Sequence, residues 1–259
     1  MTIEYTKSTI DDISKLYGSD LKNNTLLLFV GHAHSGHSIL GSILDCHKKI
    51  VLANEVNIAK TISEYRLTKH QIESILMHES QRPNNSKWLN SAYHYDTKHG
   101  FQSDLSTPPQ VIGDKKAGGT TRILKKHPWV LEYLLSLFGK NLKFIFVKRN
   151  PIDVVAAYSH YMKQPICQFH VDRYIENYET SMKIKSLVSK NQFFTVDQGV
   201  FIHNPISQTK NILSFLNLEK AHKQEELATW CSIVRNDIQG KSQIIDVPEK
   251  LIRQLKNYI

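Results

Sequence analysis

The sequence holds little that would staple or anchor it. Its 259 residues include three cysteines, Cys46, Cys167 and Cys231, far apart and without a CxxC pair. An odd, dispersed set argues against a disulfide framework and fits a reducing compartment. No apolar run approaches the roughly 20 residues that a membrane-spanning helix needs. Met1-Thr2-Ile3-Glu4-Tyr5 has neither the basic nor the apolar segment of a secretory leader, so a cytoplasmic location is expected. No internal repeat or low-complexity tract is present. Acid is in the minority: 24 Asp and Glu against 33 Lys and Arg leave a formal charge of +9. That balance favours an anionic partner. Nucleic acid is one candidate, yet no helix-turn-helix, zinc-finger or RNA-recognition signature appears and the basic residues are scattered. The expectation is no nucleic-acid partner and no membrane span.

What is present is an ordinary globular composition, 41% hydrophobic and 22% charged, in a chain long enough to bury a sizeable core. Leu26-Leu27-Leu28-Phe29-Val30 is a continuous apolar run, the pattern of a strand buried on both faces. Further strand candidates are Ile50-Val51-Leu52, Val111-Ile112, Leu142 to Val147 and Phe193 to Val196. Helical patterns fall at 38–46, 57–65, 69–79, 129–138, 170–189, 205–216, 223–235 and 248–257. A further helix starts at Pro151, where the missing N–H costs nothing. Residues 1–24 read as a polar N-terminal extension with a short helix from Ile10 to Leu16. Residues 81–110, rich in Asn, Ser, Pro, His and Gly, form the longest irregular region and a candidate substrate loop. Strands alternating with helices predict an α/β fold. Its form is a single domain, 1–259, of three αβα layers around a central parallel sheet.

In such sheets ligands bind outside the carboxyl ends of the strands. The polar residues just past each strand are His34 to Ser38, Glu55, Asp114 to Lys116, Arg149 and Asp197. The first group lies in Gly31-His32-Ala33-His34-Ser35-Gly36-His37-Ser38. Three readings compete for it. A metal site would use His32, His34 and His37, but three or four ligands must converge and no Cys or carboxylate pair sits beside them. A phosphate-binding loop would use small residues and the open N–H groups of the next helix. A plain strand-to-helix turn needs no ligand at all. The loop is not G-x-x-x-x-G-K-[ST], since His37-Ser38 follows Gly36, which argues against a Mg²⁺-dependent nucleotide hydrolase or kinase. Gly118-Gly119-Thr120-Thr121-Arg122 is either a second anion-binding turn or a helix start.

Two stretches resemble a known family. Phe29 to His47 resembles the 5′-phosphosulfate loop of PAPS-dependent sulfotransferases: a strand, P-[RK]-S-G-[TS]-[TS], and a helix ending in L-D-A-H-P. Phe144 to Ser159, containing Val147-Lys148-Arg149-Asn150-Pro151-Ile152-Asp153, resembles their 3′-phosphate motif V-R-[ND]-P-x-D-x-x-x-S. The resemblance implies a P-loop-like fold and sulfuryl transfer from PAPS (3′-phosphoadenosine 5′-phosphosulfate) to a hydroxyl or amine, without metal. The acceptor would be a small molecule, a carbohydrate or a tyrosine-bearing chain. It further implies that His34, Ser35, Gly36, His37 and Ser38 cradle the 5′-phosphate, with His34 standing where the family has Arg or Lys. Arg149 would hold the 3′-phosphate. Its usual serine partner is replaced by Ala157, leaving Ser159 as the nearest hydroxyl, and Ser242 would complete the nucleotide site. Glu55 would be the base, and Lys115 would stabilise the transferring group; Lys116 beside it reads equally as a solvated charge. The departures at His34 and Ala157 keep one alternative open, a non-catalytic nucleotide- or anion-binding protein on the same fold.

Overall fold

The computed structural model describes residues 4–18, 24–81, 105–218, 223–234 and 247–259. Its centre is one sheet of five parallel strands: β1 (Thr25–Val30), β2 (Ile50–Asn54), β3 (Val111–Lys115), β4 (Leu142–Lys148) and β5 (Phe193–Asp197). Their order across the sheet is β2-β3-β1-β4-β5. β1 is central, pairing Thr25 with Val111 on one side and Leu26 with Leu142 on the other. All six of its residues are buried, as the unbroken apolar run requires.

Alternate side chains of the strands feed two separate apolar layers. Leu26, Leu28, Val30, Phe144 and Phe146 face α1 (Lys7–Lys15), α3 (Ile58–Tyr65), α4 (Lys69–Ser80), α6 (Trp129–Phe138) and α8 (Gln168–Leu187). Leu27, Phe29, Ile145 and Val147 face α2 (His37–Asp45), α9 (Gln198–His203), α10 (Pro205–Phe215) and α11 (Gln224–Cys231). This is the expected three-layer arrangement. α5 (Ala117–Lys126) follows β3 directly, and α7 (Pro151–Met162) follows β4. α12 (Glu249–Leu255) closes a smaller cluster with α7 and α8 through Leu251, Leu255, Val154 and Val171.

Local signals set the element ends. Thr68 and Gln71 form a reciprocal capping box at the start of α4. Pro151 occupies the first turn of α7, and the Asn150 side chain accepts from the Ile152 N–H. α1 buries Ile10 and Ile13, so part of the polar N-terminal stretch contributes to the core.

One local expectation differs, one alternative is decided, and one helix is added. β3 runs three residues beyond Ile112, so Asp114 and Lys115 lie within the strand rather than after it. Glycine and two charges hid it; the physical compensation is that every one of its residues is buried and bonded. Gly118 to Arg122 lies inside α5, which settles that segment as helix. α9 arises from a capping Asp197 whose carboxylate accepts from the Val200 N–H, in a stretch too short for a period to register. Most of the candidate substrate loop, 82–104, lies outside the described residues.

Gly113 shows why glycine interrupts β3. A Cβ there would sit 2.3 Å from the Leu27 carbonyl oxygen and 2.7 Å from Leu52 Cδ2. We expect Gly113→Ala to lower stability by about 1–3 kcal/mol, the usual range for overpacking a core. Urea unfolding checks this: the midpoint falls while the slope stays unchanged.

Candidate functional site

The chain leaves β1 toward one edge of the sheet and leaves β4 toward the other. The carboxyl ends of these adjacent strands therefore form the topological switch point, the usual ligand crevice of an open α/β sheet. The 31–36 loop and the start of α7 both open there.

The loop is held from below. Gly31 has φ 114°, and a Cβ on it would meet the Phe146 ring at 2.7 Å. Its N–H donates to Thr121 Oγ1 at 2.7 Å, and Thr121 donates in turn to the Ala117 carbonyl. Gly118 brings α5 close under the same loop, since a Cβ there would lie 3.3 Å from the Ala33 nitrogen. Gly36, at φ 95°, caps α2 without a side chain, so the first N–H groups of that helix are left for a ligand. His34 also adopts a left-handed conformation, φ 62°, which is uncommon for a non-glycine residue. Its carbonyl accepts from Arg149 Nη1 at 2.7 Å. That bond ties the loop after β1 to the loop after β4.

The three histidines of the loop point in different directions. His32 is buried and stacks on Tyr174, with ring centroids 4.1 Å apart. His34 lies 5.1 Å from the ring of Tyr161. Ser35 donates its hydroxyl proton to the His32 carbonyl, and its oxygen lies 3.2 Å from His37 Nδ1. Among the described residues no group of three or more His, Cys, Asp or Glu side chains is arranged to hold a metal ion. Burial pushes the His32 imidazole down to about 3. Burial, with His37 and Arg149 nearby, also lowers His34, and burial lowers His37 despite the Glu55 carboxylate. All three imidazoles are therefore neutral at pH 7.

Beside the loop is a compact charge cluster. Lys115 reaches from β3 to Ser38 Oγ, 2.9 Å away, and to Glu55 Oε1, 3.0 Å away. Lys116 binds Glu55 Oε2. His37 Nε2 stands 3.8 Å from Glu55 Oε1. Burial alone would raise the Glu55 carboxyl, but His37, Lys115 and Lys116 outweigh it and hold the group well below the usual carboxylate range. Ser38 accepts from Lys115, which leaves its own proton to donate to a ligand.

Glu55 is placed by a strained turn. Both Glu55 (φ 63°) and Asn57 (φ 62°) are left-handed. The fully buried Asp114 accepts from the Val56 N–H through one oxygen, at 3.2 Å, and from the Ile58 N–H through the other, at 2.8 Å. Burial pushes the Asp114 carboxyl up to about 7 despite these bonds. Asp114 thus works as a buried clasp for the turn.

The remaining expected site residues fall as follows. Arg149 Nε makes no hydrogen bond although it is buried, and the Asp153 carboxylate lies 3.9 Å from it. That leaves an oriented donor at the switch point. Ser159 is buried, and its hydroxyl donates to the Gln164 carbonyl at the end of α7. Ser242 lies outside the described residues. Sequence reading placed Glu55, Lys115, Arg149 and the loop at one edge, and the structure brings them together. It overlooked the clasp of Asp114 and the loop support from Thr121; the Gly-Gly-Thr-Thr cluster was the available signal for the latter.

With this geometry established, known proteins give a consistent picture. The profile of the Sulfotransferase family matches residues 27–222, and the chain belongs to that family. No curated protein sequence matches it. Among solved structures, it is similar to the sulfotransferase domain from the Synechococcus PCC 7002 olefin synthase, at 14% identity and a TM-score of 0.57, over 93% of this chain and 97% of that one. The sulfotransferase domain from the curacin biosynthetic pathway gives 12% identity and a TM-score of 0.55, over 91% and 98% of the two chains. A sulfotransferase from Mycobacterium avium gives 11% identity and a TM-score of 0.50, over 91% of this chain and 72% of that one. These likenesses establish the fold. Among the described residues no helix is long and apolar enough to cross a membrane.

The Thr121 hydroxyl is the partner of a buried loop N–H. We expect Thr121→Val to cost about 1–3 kcal/mol, the price of leaving that N–H unsatisfied. Thr121→Ser should retain most of the wild-type stability. Chemical unfolding of the two variants side by side checks the assignment.

Proposed function

We propose that this protein transfers a sulfuryl group from PAPS to a hydroxyl or amine acceptor by in-line displacement, with Glu55 as the base. The observation that carries this reading is the position of Lys115. One ammonium bonds both a hydroxyl of the anion loop, at 2.9 Å, and the carboxylate of the base, at 3.0 Å. It stands where a group passing between donor and acceptor would carry its charge.

PAPS, when bound, supplies an activated sulfuryl group on a phosphate leaving group. The N–H groups from Ser35 to Ser38 and the Ser38 hydroxyl would bind the 5′-phosphate. His34, neutral in the free protein, would donate a hydrogen bond to the leaving phosphate rather than a fixed charge. The Arg149 guanidinium, whose Nε makes no hydrogen bond, fits the 3′-phosphate, since guanidinium matches phosphate oxygens. The Ser159 hydroxyl is committed to Gln164, so Arg149 carries this contact without it. The acceptor oxygen attacks sulfur, the sulfur–oxygen bond to the leaving phosphate breaks, and Glu55 takes the acceptor proton. In the free protein Glu55 is a weak base because Lys115 and Lys116 both hold it. As Lys115 turns to the transferring group, Oε1 is released and the carboxylate gains basicity. The acceptor is the hydroxyl or amine of a small molecule, a carbohydrate or a tyrosine.

The neutral His34 and the occupied Ser159 hydroxyl favour a second reading, a nucleotide-binding protein that keeps the fold without turnover. Calorimetric titration with adenosine 3′,5′-bisphosphate and with ADP, without added metal, tests the nucleotide site. We expect selective binding of the bisphosphate. Arg149→Ala should weaken the bisphosphate roughly ten- to a hundredfold and ADP far less. Equal losses for the two would remove the 3′-phosphate assignment. Glu55→Gln should lower turnover by about 10²–10⁴ and spare nucleotide binding. Bisphosphate binding with no transfer to any acceptor panel would favour the second reading.

A further inference from the structure

Lys115 and Lys116 are adjacent in sequence, yet both ammoniums reach the same carboxylate. Each stem lies across a glycine inside a helix. A Cβ on Gly41 of α2 would meet Lys115 Cγ at 2.8 Å, with Cβ at 3.6 Å and Cδ at 3.7 Å. A Cβ on Gly119 of α5 would meet Lys116 Cγ at 2.7 Å, Cε at 2.9 Å and Cδ at 3.2 Å. After proline, glycine is the poorest helix former, so each of these positions gives up helix stability. In return, each lets one lysine lie flat and reach Glu55.

The two lysines are not equivalent. The Lys115 ammonium is shared between Ser38 and Glu55 Oε1, so an anion in the 31–38 loop competes for it. Among the described residues, the only hydrogen bond of the Lys116 ammonium is to Glu55 Oε2. We propose that Lys116 is a positioning residue for Glu55: its stem lies in the slot at Gly119, and its ammonium holds Oε2 in place when Lys115 turns to the donor. This rests on Glu55 being the base. Lys116 thereby keeps the carboxylate ionised and aimed. The other titratable groups around Glu55 are His34 and His37 from the loop and α2, Asp114 and Lys115 from β3, and Arg122 from α5.

Three variants test it, Lys116→Met, Lys116→Arg and Gly119→Ala, with two readouts. The first is the side-chain carboxyl ¹³C shift of Glu55 against pH in the ligand-free protein, assigned with Glu55→Gln. Removing an opposite charge at this distance raises a carboxyl by about 1–3 pH units. Lys116→Met should therefore move the Glu55 titration up by about one unit or more, and Lys116→Arg should leave it near wild type. The second readout is kcat, KM and bisphosphate affinity. Activity that needs ionised Glu55 is lost as pH falls through its pKa, so the acidic limb of kcat should move to higher pH in Lys116→Met. Its kcat should drop by about tenfold or more with bisphosphate affinity within about twofold, and Lys116→Arg should recover part of the loss. Gly119→Ala, which puts a Cβ against the Lys116 stem, should shift the titration and kcat in the same sense. An unchanged Glu55 titration in Lys116→Met overturns the proposal, as does an unchanged kcat profile in an active enzyme. A shifted titration in a protein that transfers no sulfuryl group would support the hold on Glu55 and remove the sulfotransfer reading alone.

Discussion

Everything at the carboxyl edge of the sheet is arranged around one ionised carboxylate. Glu55 allows two neighbouring lysines to stay charged side by side in a half-buried place, where their mutual repulsion would otherwise separate them. Taking such charges out of water is costly unless each finds a partner. Here the partners come from separate parts of the chain: the β2–α3 turn gives Glu55, and the end of β3 gives both lysines. The turn holds because Asp114, one residue before Lys115, accepts two of its N–H groups. The strand that delivers the cations thus also fixes the anion.

The same economy governs the loop after β1. Its support is a hydroxyl of α5, the helix that starts immediately after the lysines. Arg149 closes it from the other side by bonding the His34 carbonyl. Two left-handed non-glycine positions, His34 and Glu55, mark where the backbone is held against its own preference. Both lie beside the residues that would meet a ligand. The rest of the molecule, two apolar layers on a buried sheet, keeps these turns from relaxing.

Much of this was legible before the structure. The run Leu26 to Val30 followed by small residues identified the loop, and α6 falls at the 129–138 that its apolar pattern marks. The pair of motifs around Gly36 and Arg149 pointed to the family that the profile match establishes. What stayed hidden depended on contacts distant in sequence. Asp114 reads as one of the polar residues past a strand end, and its role shows only when its carboxylate is seen against N–H groups 58 and 56 residues away in the chain. β3 carries its glycine because Leu27 and Leu52 leave no room for a side chain, and no local pattern encodes that. Gly41 looks like a flaw in a helix, and Gly119 like part of a turn or a helix start, until the lysine stems lying on them are located.

The central position of β1 has a consequence for synthesis. It is made before the other four strands of the sheet, yet its hydrogen-bonding neighbours begin at Val111 and Leu142. At the usual pace of about 5–20 residues per second, its edges wait on the order of ten seconds for partners. During that time Leu26 to Val30 is an apolar segment with two open edges, the kind of stretch that pairs with other chains. Long-range parallel pairing also forms slowly once its partners are available. The strand at the heart of the finished sheet is thus, before the sheet exists, an apolar segment exposed to wrong pairing.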